Sequence, residues 1–218
     1  MFKSLPKYLL FKFLIKPLIY LGLGVNVFGA ENLPKIHKKP YILVANHNSH
    51  IDTLLLMSLF CGEDILKLHP VAAADYFCNT KIKSFFFQTL IGLIPISRHV
   101  TKSKKEELFE NINLALKNNE SIIIYPEGTR GDSNEIKEFK TGVAHIAKMN
   151  PEVEVVPIYI NGPDKILPKT DFLLVPFICD VYIGEPICYD NTSTKEFTLR
   201  IKMAVQQLKD MHKRKEEL

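Results

Sequence analysis

The four cysteines, Cys61, Cys78, Cys179 and Cys188, form no Cys-x-x-Cys pair, so the spacing of thiolate zinc sites and dithiol redox centres is missing. They give no disulfide framework, and no Ala-x-Ala cleavage pattern follows a short apolar core, which points to a reducing compartment and a cytoplasmic chain. The chain has no His-Glu-x-x-His and no Gly-x-Ser-x-Gly nucleophile elbow, so neither a metal nor a covalent serine intermediate is expected. In the N-terminal region the longest uncharged stretch, residues 17–30, has fourteen residues with a proline and several glycines. A membrane span needs ~20 apolar residues. Repeats, low-complexity segments and Gly/Ser linkers are absent as well, and 218 residues then read as one domain with a sheet covered on both faces.

What charge there is lies unevenly. Residues 1–40 hold seven lysines against Glu31 alone, a net +6, while the 21 basic and 23 acidic residues of the remainder give −2. The lysines of residues 1–24 recur every four or five positions among Phe2, Leu5, Leu9 and Phe13 and their neighbours Leu10, Phe11, Leu14, Ile15, Leu18 and Ile19. Bulky apolar groups with a lysine rim suit a helix lying in a membrane interface, where lysine stems snorkel toward anionic headgroups. The bland alternative is an ordinary amphipathic helix packed on the domain. Lysines set among aliphatic runs, without arginine, make a poor tracker of nucleic-acid phosphates.

Two polar clusters follow strand-like apolar runs. Tyr41-Ile42-Leu43-Val44-Ala45 leads into Asn46-His47-Asn48-Ser49-His50-Ile51-Asp52, and Ser121-Ile122-Ile123-Ile124 leads into Tyr125-Pro126-Glu127-Gly128-Thr129-Arg130. Both clusters fall where strands would leave an α/β sheet, the usual place for ligands in such folds. His47 is a candidate general base, since imidazole exchanges protons near neutral pH. A carboxylate on its second nitrogen would fix the tautomer and stabilise the imidazolium, and Asp52, in the first turn of a following helix, is placed to do so. Ser49-His50-Ile51-Asp52 also approximates a capping box, which would make Asp52 only a helix cap. Likewise Glu127 to Arg130 could be a salt-bridged turn, with Gly128 supplying an unusual backbone angle.

Taken in order, these motifs resemble the paired signature of the glycerolipid acyltransferases of the lysophosphatidate-acylating type. The resemblance extends to Gly92-Leu93-Ile94-Pro95-Ile96-Ser97-Arg98, Phe139-Lys140-Thr141-Gly142, Val155-Val156-Pro157-Ile158 and Ile183-Gly184-Glu185-Pro186-Ile187. It implies an α/β domain, a mixed sheet flanked by helices, over residues 31–218, preceded by an interfacial arm over residues 1–30. It further implies that His47, oriented by Asp52, deprotonates the free hydroxyl of lysophosphatidate for attack on acyl-CoA or acyl-acyl carrier protein, with no cofactor. Arg98, Glu127, Gly128, Thr129 and Arg130 would hold the acceptor, guanidinium matching phosphate bidentately. The protein would then sit on the cytoplasmic face of an anionic membrane, as a peripheral or monotopic protein. Acylation of another lysolipid and non-catalytic lipid binding are the competing readings. Gly131 and Ser97 stand where relatives commonly carry other residues, and that bears on the acceptor pocket.

Further along, Ser103–Lys117 has helical spacing, Val143–Met149 reads as a short helix, and Val153–Ile160 and Asp180–Ile183 read as strands. Residues 194–213 read as a closing helix with one apolar stripe, Phe197, Ile201, Val205, Leu208 and Met211.

Overall fold

The computed structural model describes residues 5–49, 51–73, 80, 84–85, 87–96, 109–131, 135–162 and 178–216. Its centre is set by two runs with no polar interruption. Tyr41–Ala45 (β2) and Ser121–Ile124 (β5) are buried at every position, as strands covered on both faces must be. They pair in parallel, with Ile42, Leu43 and Val44 opposite Ile122, Ile123 and Ile124. Around them stand β1 (Gly24–Phe28), β3 (Leu68–Ala73), β4 (Ile94–Ile96), β6 (Glu154–Asn161) and β7 (Ile178–Ile183). The order is β1-β7-β6-β2-β5-β3-β4. Among the described strands only the β6–β7 pair is antiparallel, so the sheet is mixed.

Alternate side chains of each central strand enter two separate cores. Leu43, Ala45, Ile123, Val156 and Ile158 pack beneath the arm and the helices α3 (Ile51–Ser58) and α4 (Glu63–Leu66). Ile42, Val44, Ile122, Ile124 and Val155 pack with α5 (Glu110–Lys117), α6 (Gly142–Met149) and α7 (Thr194–Glu216). The stripe expected on α7 is buried at Phe197, Ile201, Val205 and Leu208, but Met211 is 55% exposed. The stripe therefore ends one turn early.

The arm comprises α1 (Leu5–Leu10), a wider π-helical turn (Phe11–Ile15) and α2 (Lys16–Gly22). It ends sooner than the expected division at residue 30, because Gly24–Phe28 join the sheet as β1, residue for residue with Ile178–Tyr182. The arm is also partly core: Phe11, Ile19 and Leu23 are buried. One lysine of the expected rim is turned inward. Lys7 is 3% exposed and donates to the Leu68 carbonyl at 2.6 Å. A Cβ on Gly92 would come within 2.7 Å of the Lys7 ammonium and 3.0 Å of His69 Nδ1, at a φ of +74°. Glycine thus gives both the turn and the space for the lysine.

Burial brings the Lys7 amine down from 10.5 to about 7, opposed by Glu120, and burial together with Lys7 brings His69 down to about 4. The unfolded chain therefore holds more protons than the folded one between about pH 7 and 10.5, so Lys7 makes stability rise with pH through that window. Thermal unfolding followed by circular dichroism should show that rise in the wild type and a flatter profile in Lys7→Met. The gap should be several degrees, as about 1 kcal/mol moves Tm by ~2–4 °C at this chain length. Parallel profiles for the two proteins would mean that Lys7 is charged and solvated.

Candidate active site

Where β2 ends, Asn46 fixes the direction of the chain. Its buried amide side chain donates to the Ile160 carbonyl at 2.9 Å and accepts the Ile160 amide at 2.8 Å, extending the ladder to β6 by side chain alone. His47 is thereby delivered at the C-terminal edge of the sheet, beside the loop that leaves β5. Two hydrogen bonds of the His47 backbone tie the loops together. The His47 amide donates to Glu127 Oε1 at 3.1 Å, and the Gly131 amide donates to the His47 carbonyl at 2.7 Å. The Tyr125 ring lies flat on the imidazole, with centroids 4.2 Å apart and planes inclined by 20°.

Asp52 combines two roles that the sequence presents as alternatives. A single oxygen, Oδ2, lies 2.9 Å from His47 Nδ1 and accepts the amides of Asn48 and Ser49, each at 2.8 Å. The Ser49 bond is the backward half of a capping box, and the Ile51 amide donates to Ser49 Oγ at 3.3 Å in the same turn. The helix cap and the imidazole partner are the same atom. Asp52 is 1% exposed, and its other oxygen, Oδ1, is buried with no hydrogen-bond partner among the described residues. With Nδ1 committed to Asp52, Nε2 is the nitrogen left for proton transfer.

Glu127 is likewise buried, and burial raises its carboxyl above the usual range, with the amides of His47 and Lys137 opposing. Its Oε2 has no hydrogen-bond partner among the described residues. A Cβ at position 131 would stand 2.9 Å from that oxygen, so glycine leaves room beside it. Gly128 has a φ of +72°, and a Cβ there would meet the Lys140 ammonium at 2.5 Å. Thr129 and Arg130 are exposed at the outer rim of the loop. Lys137 Nζ donates to the Arg130 carbonyl at 2.9 Å.

The structure therefore brings together His47, Asp52, Glu127, Gly128, Thr129 and Arg130. Arg98, expected to join them, lies outside the described residues, as does His50. Three side chains are new to the set: Tyr125 through its stacking, and Lys137 and Lys140 through their places beside Arg130 and Gly128. Lys140 stands in a motif quoted above, and only its distance from Gly128 marks it as a neighbour of the site.

A family model described as Acyltransferase matches residues 24–161, from the first residue of β1 to the last of β6. The chain belongs to the acyltransferase family. A 1-acyl-sn-glycerol-3-phosphate acyltransferase from Saccharomyces cerevisiae is 31% identical over 157 residues, covering 68% of this chain and 46% of the yeast protein. The chloroplastic 1-acyl-sn-glycerol-3-phosphate acyltransferase LPAT1 from Arabidopsis thaliana is 30% identical over 155 residues, covering 69% and 39%. The chain thus spans less than half the length of either relative. In fold it is similar to the crystal structure of the 1-acyl-sn-glycerophosphate (LPA) acyltransferase PlsC from Thermotoga maritima, with a TM-score of 0.69 and 23% identity over 93% of this chain and 81% of that one. That likeness is one of fold.

Proposed function

We propose that this acyltransferase-family protein moves a fatty acyl chain from an acyl thioester, acyl-CoA or acyl-acyl carrier protein, to the free hydroxyl of lysophosphatidate. The observation that carries the reading is the 2.9 Å pairing of His47 Nδ1 with Asp52 at the edge of the sheet, beside the Glu127–Arg130 loop. Nε2 takes the hydroxyl proton as the oxygen attacks the thioester carbon, Asp52 stabilising the imidazolium. The carbon–sulfur bond then breaks, and the imidazolium returns the proton to the departing thiolate. No acyl-enzyme and no cofactor are needed.

Acceptor binding is assigned to the neighbouring loop. Arg130, with Lys137 and Lys140 near it, supplies positive charge for a phosphomonoester, and Arg98 belongs to the same set by motif. Glu127 Oε2, buried and unpartnered beside Gly131, suits a hydroxyl donor, because a buried acceptor without a partner costs about 1–3 kcal/mol. The names of the relatives support lysophosphatidate as acceptor. The arm seats the protein on the cytoplasmic face of an anionic membrane, where this acceptor resides. Among the described residues no helix is long and apolar enough to cross a membrane.

The test is one panel of lysolipid acceptors, each offered with both donors. Lysophosphatidate should be preferred over lysophosphatidylcholine and lysophosphatidylethanolamine, since a phosphomonoester has more charge and more free oxygens. Arg130→Lys keeps the charge but loses the planar fork, so KM for lysophosphatidate should rise about tenfold. A preference for diester headgroups, or unaltered kinetics in Arg130→Lys, would overturn the phosphate assignment.

A further inference from the structure

The side of the His47 ring is occupied by Tyr125. Its ring lies nearly parallel to the imidazole, centroids 4.2 Å apart, and its hydroxyl shares a 3.0 Å hydrogen bond with Thr53 Oγ1. Thr53 is the residue after Asp52. One turn of α3 therefore fixes the imidazole twice, by Asp52 at its edge and by Thr53 through the phenol that lies over its face. The residue as a whole is half-buried, but its hydroxyl end is enclosed, and burial with the nearby Asp52 charge raises the phenol well above its ordinary range. The ring stays neutral. A neutral electron-rich face is one that a cation can stack on.

We infer that Tyr125 is a positioning residue for the transfer: its π face sets the plane of the His47 imidazole and stabilises the imidazolium formed when the acceptor hydroxyl gives up its proton. Here the cation is the imidazolium, and it exists only while the proton is on Nε2. The stacking therefore favours the transition state over the ground state, which acts on kcat and leaves acceptor binding alone. Among the described residues, the titratable side chains in contact with His47 are Asp52 from α3, and Tyr125 and Glu127 from the loop after β5. Asp52 acts along the ring plane and Tyr125 perpendicular to it, so the two contributions are separable. The inference rests on His47 being the base.

An isosteric series isolates the π density. Tyr125 is replaced by phenylalanine, then by tri- and pentafluorophenylalanine, which keep ring shape while withdrawing charge from the face. Across the series kcat should fall by about 2- to 30-fold in all, the range that cation–π contacts span, with KM for lysophosphatidate unchanged. The fall in log kcat should follow the loss of cation-binding strength from ring to ring, at constant folded fraction by circular dichroism. A merely structural role would show as a lower folded fraction and not as that graded fall. Tyr125→Phe against wild type reads the Thr53 bond separately, and Thr53→Val should reproduce its effect. A flat series in kcat would overturn the inference, even where His47→Ala is inactive. A His47→Ala protein with full activity would instead remove the reading of His47 as the base.

Discussion

His47→Ala should lose acyl transfer by about 10²–10⁴-fold, the usual contribution of a general base, while its circular dichroism and Tm stay close to wild type. The imidazole is tied down by side-chain contacts at Nδ1 and on its ring face, whereas the loop it sits on is held by backbone bonds that alanine keeps: the His47 amide to Glu127 and the Gly131 amide to the His47 carbonyl. Asp52→Asn is the more discriminating partner experiment. Asparagine caps helices about as well as aspartate, and its oxygen can still accept the amides of Asn48 and Ser49. What it cannot offer is a negative charge to the imidazolium. Activity should therefore fall by at least tenfold with little loss of stability. Asp52→Ala removes cap and counter-ion together, so it should lose activity and about 1 kcal/mol of stability besides. Assay of purified proteins with lysophosphatidate and acyl-CoA, alongside thermal unfolding, separates these results. Wild-type turnover in His47→Ala would refute the base, and wild-type turnover in Asp52→Asn would return Asp52 to capping alone.

Why one aspartate could be read in two ways is also why parts of this protein are legible in its sequence and others are not. The continuous apolar runs Tyr41–Ala45 and Ser121–Ile124 are the central strands with the same bounds, because a strand covered on both faces has no polar side to blur its ends. The flanking strands carry no such signal. β3 contains His69 and Pro70, and β4 is three residues with Pro95 in the middle, while proline ordinarily argues against a strand flanked on both sides. β1 is an edge strand with a glycine and an asparagine, half-exposed along its length. Its place in the sheet depends on β7, some 150 residues away. Lys7 is hidden for the same reason: what turns it inward is a carbonyl at Leu68 and space at Gly92, which no local periodicity can report. In the site, the spacing of His47 and Asp52 is legible, and the sharing of one oxygen between the base and the cap is not. The motif marks Glu127 as polar and central. Only the structure gives one of its oxygens to the His47 backbone and leaves the other bare.

The arm calls for a different experiment from simple truncation. Deleting residues 1–24 would remove Phe11, Ile19 and Leu23 from the core along with Lys7, so loss of activity in that protein would report unfolding as readily as lost membrane contact. The outward face can be changed alone. Phe13, Leu14, Leu18 and Leu21 are 67%, 55%, 65% and 89% exposed, an apolar surface that water should not favour and a lipid interface would cover. Lys12 and Lys16 stand within it, their ammonium groups 5.3 Å from the Phe13 ring centroid and 5.6 Å from that of Tyr20, near enough to the apolar groups for their stems to snorkel around them. Exchanging the four residues for glutamine keeps good helix formers in place and leaves the inward face intact. At roughly 1 kcal/mol lost per side chain, below the ~1.5–3 kcal/mol of full burial, partition onto vesicles containing anionic phospholipid should fall about 10³-fold. Tm should stay within a few degrees. Raising salt should weaken wild-type binding in part, because the lysines act through a screened field while the apolar share is insensitive. Activity on vesicle-borne lysophosphatidate should drop with binding, while activity on a short-chain acceptor dissolved in water should not. Equal sedimentation of wild type and the fourfold variant would refute the membrane seat, and equal losses on both acceptors would place the effect inside the domain rather than at its surface.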